Sequence, residues 1–401
     1  MRDPSRVRAD GPLAPYADGF RIELAQQGYS GSTAAQHLQL LGHLSRWLAV
    51  RGLDGRAATP ELVGAYLVQR RAAGYASLRS GRGLAPLLDY LRRYAGAPRA
   101  ASVERDPVER VLLRYAGFLK TERGLAQSTI RRNVELVRPF LTGRVRADGD
   151  DLCGLTAGDV AAFVTAACQG PRRATASRMA TALRSLLRFL HIEGLIDRPL
   201  VEAVPPVAAW KLAGLPKTLR AEQVSALLDS CAQDGPVGQR DFAILTLLVR
   251  LGLRAGEVAT LRLDDIDWRR GEITVQGKGN RHERLPLPVD VGHAVASYLR
   301  ADARVAAGRE VFTRLRAPHG PMTSGAVTQM VASRACRAGL GPVYAHRLRH
   351  TAATGMLRAG GSLTEIGQVL RHRHVLTTAI YAKTDLEGLR TLARPWPVGT
   401  P

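Results

Sequence analysis

Toward the C-terminal end of this 401-residue chain stand residues whose types suit work on a phosphodiester: Arg254, Lys278, His346, Arg349, His372 and Tyr381. Guanidinium groups present planar paired donors that match two oxygens of a phosphate, and a tyrosine hydroxyl can attack one. No carboxylate cluster accompanies these residues, and no pair of Asp or Glu near them suits two magnesium ions. His346 and His350 are spaced i, i+4 but lack the glutamate of the HExxH zinc pattern, and no GxxxxGK[ST] loop occurs. The sequence therefore predicts no metal and no cofactor. An electrostatic clamp on a phosphodiester, with a protein nucleophile, is the chemistry left.

Composition agrees with such a partner. Lys and Arg outnumber Asp and Glu by 57 to 35, a formal charge of +22. An excess of that size on a folded chain points to a polyanion, with nucleic acid first. Only five of those cations are lysines, which reads as a high-GC coding bias; the bias explains arginine over lysine but not the net charge. No run approaches the roughly 20 apolar residues of a membrane span, and the opening MRDPSRVRADGPLAP lacks a signal-peptide core, so a cytoplasmic protein with no membrane partner is expected. Cys153, Cys168, Cys231 and Cys336 show no CxxC spacing, so they read as reduced thiols.

The elements that must position these groups fall into three regions. Breaks lie at PRAASVERDP (98–107) and along the prolines from Pro199 to Pro216, where no helix can run uninterrupted. Residues 15–97 show helical periodicity in HLQLLGHLSRWLAV, TPELVGAYLVQRRAAG and LAPLLDYLRRYAG. Residues 107–197 repeat that order, with QGYSGSTAAQH lying over RGLAQSTIRRN at a shift of 96 and LLDYL over LLRFL at a shift of 99. The expectation is a tandem duplication of one helical domain. A linker at 198–216 leads to a mixed region, 217–394, with helices at AEQVSALLDSCA and DFAILTLLVRLG, a strand-like LRLDDIDW, and a hairpin across GEITVQGKGNRHERLPLP. Prolines mark 395–401 as a tail. The fold class is thus mainly α with a small β-sheet in the last domain.

GLRAGEVATLRLDDIDW (252–268), GKGNRHERLPLP (277–288), AHRLRHTAAT (345–354) and LRHRHVLTTAIYAKT (370–384) together resemble the tyrosine recombinase family of phage integrases and Xer-type enzymes. The resemblance covers 217–384 and, more loosely, 107–197, which is similar to the family's SAM-like core-binding domain. It implies that Arg254 and Arg349 grip the scissile phosphate, with Glu257 one helical turn from Arg254 holding its guanidinium. It implies Lys278 as general acid to the leaving 5′ oxygen, His346 in proton transfer from the tyrosine, His372 as a donor to the phosphate, and Tyr381 as nucleophile. His350 reads as a packing or structural hydrogen-bonding residue. His372 precedes Tyr381 by nine residues, the family's interval, whereas His374 stands too close. Arg371 replaces the glycine usual before that histidine, and either alters the local backbone or adds a phosphate contact.

The resemblance implies a site-specific recombinase that cleaves and rejoins double-stranded DNA through a 3′-phosphotyrosine. It would act as a homotetramer in a synaptic complex, alone or with sister recombinases or accessory proteins. Residues 15–97 exceed a minimal Xer-type enzyme, which favours integration, excision or transposition of a mobile element over replicon-dimer resolution. A non-catalytic DNA-binding relic is the competing reading; the presence of all six motif residues speaks against it, as the HxxR motif speaks against a type IB topoisomerase.

Overall fold

Leucine-rich segments with apolar residues on one face and polar capping residues at their starts dictate a predominantly helical chain. The computed structural model describes residues 4–75, 81–96, 106–142, 144–145, 152, 154–169, 173–206, 218–231, 235–277, 282–301, 308–372 and 375–384. Their contacts group into two compact units: the residues up to 211 without 24–30 form one, and 24–30 with the residues from 212 onward form the other.

The first unit holds helices α1 (Ala17–Gln26) as far as Glu23, α2 (Gly31–Ala49), α3 (Pro60–Ala72) and α4 (Gly81–Tyr94), then α5 (Pro107–Thr121), α6 (Gln127–Thr142), α7 (Ala157–Cys168) and α8 (Arg173–Ile192). Asp106 caps α5, accepting from the Val108 backbone N–H with Pro107 at the first helical position. Thr156 and Asp159 form a reciprocal capping box on α7. The core of 107–204 gathers Tyr115, Leu119, Phe140, Leu183, Leu187 and Leu190, all essentially solvent-free. The sequence 198–206 is tied to α8 rather than free, because Arg184 donates to the carbonyls of Val204 and Pro205 at 2.9 and 3.1 Å. Residues 207–217 and the expected tail 395–401 lie outside the described residues.

The two four-helix stretches bury corresponding positions. Ala34, Leu41 and Leu44 of α2 match Ile130, Val137 and Phe140 of α6; Val63 and Leu67 of α3 match Val160 and Val164 of α7; Leu84, Leu87 and Leu91 of α4 match Leu183, Leu186 and Leu190 of α8. Thr59 caps α3 as Thr156 caps α7. Left-handed Gly28 and Gly124 close the first turn of each stretch, with Tyr29 N–H donating to Leu24 and Leu125 N–H to Leu119. Even the ring pairs correspond, Phe20 with Tyr90 at 5.2 Å and Tyr115 with Phe189 at 5.4 Å.

The second unit is organised around α10 (Pro236–Arg250), whose Ala243, Ile244, Leu245, Leu247 and Leu248 are fully buried. Around it stand α9 (Ala221–Asp229), α11 (Ala255–Ala259), α12 (Val289–Ala301), α13 (Ser324–Arg337) and α14 (Ala345–Arg358). A buried ion pair between Asp241 and Arg334, 2.6 Å long, fastens α10 to α13. The expected hairpin forms as β2 (Glu272–Gln276) against β3 (His282–Pro286), with Ile273 paired to Leu285. LRLDDIDW yields only a two-residue strand, β1 (Ile266–Asp267), because Asp265 accepts from the Arg262 N–H and bends 263–265 into a tight 3-10 turn. α15 (Leu363–Val369), capped by the Ser362–Glu365 box, α16 (Val375–Thr378) and a 3-10 turn, Ala379–Thr384, complete the unit.

α10 ends at Gly252, whose φ of +59° is left-handed and whose added Cβ would lie 2.6 Å from Leu370 Cδ2. Only glycine meets both demands. Gly252→Ala should therefore lower unfolding free energy by about 2 kcal/mol or more, from the left-handed backbone and the repacking it forces. Gly355→Ala, in the exposed middle of α14 with open space at its Cβ, should stabilise by up to about 1 kcal/mol. Urea unfolding midpoints of the two variants check both signs.

Candidate active site

Two helix ends and one helix start converge in the second unit. Arg254 is the residue before the first turn of α11, so its backbone N–H has no helical partner and donates instead to Glu257 Oε2 at 2.8 Å. Its guanidinium returns to Oε1 of the same carboxylate at 2.5 Å, which holds the head group beside the helix start while 39% of the side chain stays exposed. Arg349, from the second turn of α14, is 2% exposed. It donates to the carbonyl of Gly252 at 2.7 Å and to that of Leu370. Both acceptors are carbonyls released where α10 and α15 stop, so an arginine satisfies groups that each helix leaves orphaned.

α15 stops through a Schellman turn: Arg371 N–H donates to Gln368 O and His372 N–H to Gly367 O, both at 2.9 Å. Arg371 occupies the left-handed position of that turn with φ +54°, the only non-glycine among the described residues at positive φ. Its side chain turns inward and pairs with Glu257 Oε2 at 2.7 Å, both side chains being nearly solvent-free. Of the two expectations for this residue, an outward phosphate contact is corrected: the side chain is turned inward and buried against Glu257, away from the surface a ligand would meet. Arg254 also donates to the Arg371 carbonyl at 3.4 Å.

The turn delivers His372 to a fixed orientation, its Nδ1 within 2.7 Å of the buried Thr378 hydroxyl, and its ring lies parallel to that of Tyr381 at 6.2 Å. Tyr381 sits in the final 3-10 turn, 2% exposed, with its hydroxyl 3.0 Å from His350 Nδ1. His346 stacks edge-on against His350 at 4.4 Å. The histidine within hydrogen-bonding distance of the tyrosine hydroxyl is thus His350, expected as a packing or structural hydrogen-bonding residue, whereas His346 packs against it from one helical turn before. The i, i+4 spacing puts both on one face of α14 without showing which of them the C-terminal turn meets. Nothing in the sequence singles out Thr378 beyond its place three residues before Tyr381. Lys278 and His374 lie outside the described residues, between β2 and β3 and just after His372 in the chain.

Arg254 and Arg371 share the carboxylate of Glu257 while Arg349 is held by backbone carbonyls, so the site carries uncompensated positive charge. Burial first and neighbouring cations second hold His350 and His372 down to about 4, and His346 below its ordinary range. All three are neutral at pH 7, and His350 can accept a proton. Burial raises the Tyr381 phenol, with Arg349 and Arg254 opposing. Arg349 itself is pulled down to about 10 by burial and by Arg254, and stays charged. Among the described residues no group of His, Cys, Asp or Glu is placed to hold a metal ion, no described helix is long and apolar enough to cross a membrane, and Cys168, Cys231 and Cys336 are free thiols.

The family model described as "Phage integrase family" matches residues 217–387, and that described as "Phage integrase, N-terminal SAM-like domain" matches 112–194. The chain belongs to the phage integrase family of tyrosine recombinases. The y4rA protein of Sinorhizobium fredii, named as an integrase/recombinase, is 40% identical over 97% of this chain and 95% of its own length. Tyrosine recombinase XerD of Mycobacterium tuberculosis is 32% identical over 69% of this chain and 93% of its own. Among solved structures, a lambda integrase tetramer bound to a Holliday junction has the same fold, with a TM-score of 0.53 at 17% identity over 74% of this chain and 88% of that one.

Because His350 and His372 are neutral in the folded recombinase down to about pH 4 but titrate near 6.5 when unfolded, the unfolded chain binds more protons between those values. Stability should fall as pH drops from about 6.5 to about 4, these two residues contributing up to about two protons to the slope. Thermal melts across that range check it; His350→Ala and His372→Ala should each flatten the slope by about one proton.

Proposed function

We propose that this recombinase cleaves DNA through Tyr381 with His350 as the immediate proton acceptor. The observation that carries the reading is the 3.0 Å contact between the Tyr381 hydroxyl and Nδ1 of a neutral histidine, beside two anchored arginines. The Tyr381 oxygen attacks the scissile phosphorus as its proton passes to His350 Nδ1. An O–P bond forms, the bond from phosphorus to the 5′ oxygen breaks, and the leaving oxygen takes a proton from Lys278. Arg254 and Arg349 bind the nonbridging oxygens and stabilise the added charge of the pentavalent transition state, with His372 as a further donor and His346 keeping His350 in place. The 3′-phosphotyrosine stores the bond energy, so a 5′ hydroxyl of a second strand reverses the step without a nucleoside triphosphate.

Exchange of strands between two duplexes needs four protomers, so the active species is a homotetramer on DNA, the assembly that the lambda integrase tetramer forms on its junction. The role is integration, excision or transposition of a mobile element. Similarity to y4rA runs through the N-terminal region, whereas similarity to XerD covers only 69% of the chain. Residues 17–94 are a second copy of the 107–192 module, supported by the matching burial, caps and turns, and they contact further DNA. Exposed Arg46, Arg56 and Arg71 of that copy supply phosphate contacts.

Covalent adducts trapped in the host and sequenced test the chemistry and report the target site in the same experiment. Wild type should yield adducts at element ends, Tyr381→Phe none, and His350→Ala at least about 100-fold fewer, the usual worth of a positioned base. Adducts that survive Tyr381→Phe refute the nucleophile, and adducts at one chromosomal locus favour dimer resolution. On DNA bearing the recovered site, Arg46→Glu with Arg56→Glu and Arg71→Glu should shorten the footprint and reduce the slope of log affinity against log salt by roughly three.

A further inference from the structure

Arg371 presents a contradiction. It stands at the one position of the α15 turn that the backbone reserves for glycine, yet it carries a long charged side chain into the protein interior. A residue retained at an unfavourable φ is over-determined by something else. What surrounds it names that something. Glu257 Oε2 accepts from the Arg254 backbone N–H at 2.8 Å and from Arg371 at 2.7 Å, while Oε1 accepts from the Arg254 guanidinium at 2.5 Å. The carboxylate is therefore fixed at both oxygens, and its plane sets where the exposed guanidinium of Arg254 points.

We propose that Arg371 is a positioning residue for cleavage: it locks Glu257, and Glu257 in turn aims Arg254 at the phosphate. This rests on the assignment of Tyr381 and the two arginines to DNA cleavage. Arg371 does not touch substrate, since its guanidinium is buried against Glu257. Its carbonyl adds a second restraint, accepting from Arg254 at 3.4 Å, but a glycine would supply that carbonyl equally well. The side chain donates to the Val369 carbonyl at 3.1 Å within its own turn, and its contribution to Arg254 is the bond to Glu257 Oε2. Without it that oxygen keeps only a backbone donor, the carboxylate can rotate, and Arg254 follows it.

The test uses the full chain and a duplex carrying the site recovered from wild-type adducts. Arg371→Gly removes the side chain and relaxes the backbone, so the variant should melt within a few degrees of wild type. It should bind the duplex within about threefold of wild-type affinity and cleave it at least tenfold more slowly at saturating DNA. Arg371→Lys retains a charge within reach of Glu257 and should cleave faster than Arg371→Gly. Glu257→Gln should slow cleavage comparably, and the double variant Arg371→Gly/Glu257→Gln should be no slower than Glu257→Gln by more than about threefold, because both changes break one chain of contacts. Wild-type cleavage by Arg371→Gly overturns the proposal. So does a double variant slowed by the product of the single effects, or a lysine variant no faster than the glycine one. Should wild type form no Tyr381-dependent adduct, the assignment of the site fails first and this proposal falls with it.

Discussion

A guanidinium that loses water must find acceptors for its donors, and that demand organises the catalytic unit. Arg349 is buried without a carboxylate of its own, so the fold supplies backbone oxygens from two helix ends. Those oxygens are available only because α10 and α15 stop where they do, each through a residue in the left-handed region, Gly252 and Arg371. The two turns also pack on one another, since a Cβ at Gly252 would collide with Leu370. Helix termination, packing and anion binding are consequently one arrangement, and a change that lengthens either helix withdraws the carbonyls that hold the arginine.

Burial, reinforced by the same shortage of counter-charge, sets the protonation of the neighbouring histidines. Burial and the cations together disfavour a protonated histidine, so His346, His350 and His372 rest neutral. A neutral imidazole at Nδ1 is what a tyrosine hydroxyl needs as a proton acceptor, and burial first, with His346 and Arg349 adding to it, keeps His350 neutral. Clamp and base are coupled through the field rather than through a direct bond. Asp241, held by both Arg240 and Arg334, serves packing instead, fastening α10 to α13.

How much of this is legible in the sequence depends on the range of the interaction involved. Helices follow from local rules: Thr59 and Thr156 with their periodic apolar runs mark α3 and α7, and alternating Ile273 and Val275 against Leu285 mark the hairpin. Arg254 with Glu257 is readable because the contact spans one turn. His350 is not, since its partner Tyr381 arrives from another element 31 residues away and the i, i+4 pair offers two equivalent candidates. Arg371 is visible as an anomaly only; the direction of its side chain depends on Glu257, 114 positions earlier. LRLDDIDW misleads because β-branched and apolar alternation outweighs the Asp265 side chain, which closes a turn after Arg262 and cuts the strand to two residues.

In the proposed reaction, phosphate arrival changes the balance that holds the resting site. An anion beside Arg349 offsets its repulsion of a proton on His350, so His350 would become a stronger base at the moment the phenol loses its proton. It also cancels part of the stabilisation that the arginines give to a phenolate. Free tyrosinate is therefore not the favoured species at any stage, and proton transfer is best made concurrent with O–P bond formation, when the developing negative charge moves from the phenol oxygen to the phosphoryl oxygens. A base already at 3.0 Å, neutral and held by a second ring behind it, suits concerted transfer. A distant base acting through bulk water would have to wait for an ionisation that burial of Tyr381 disfavours.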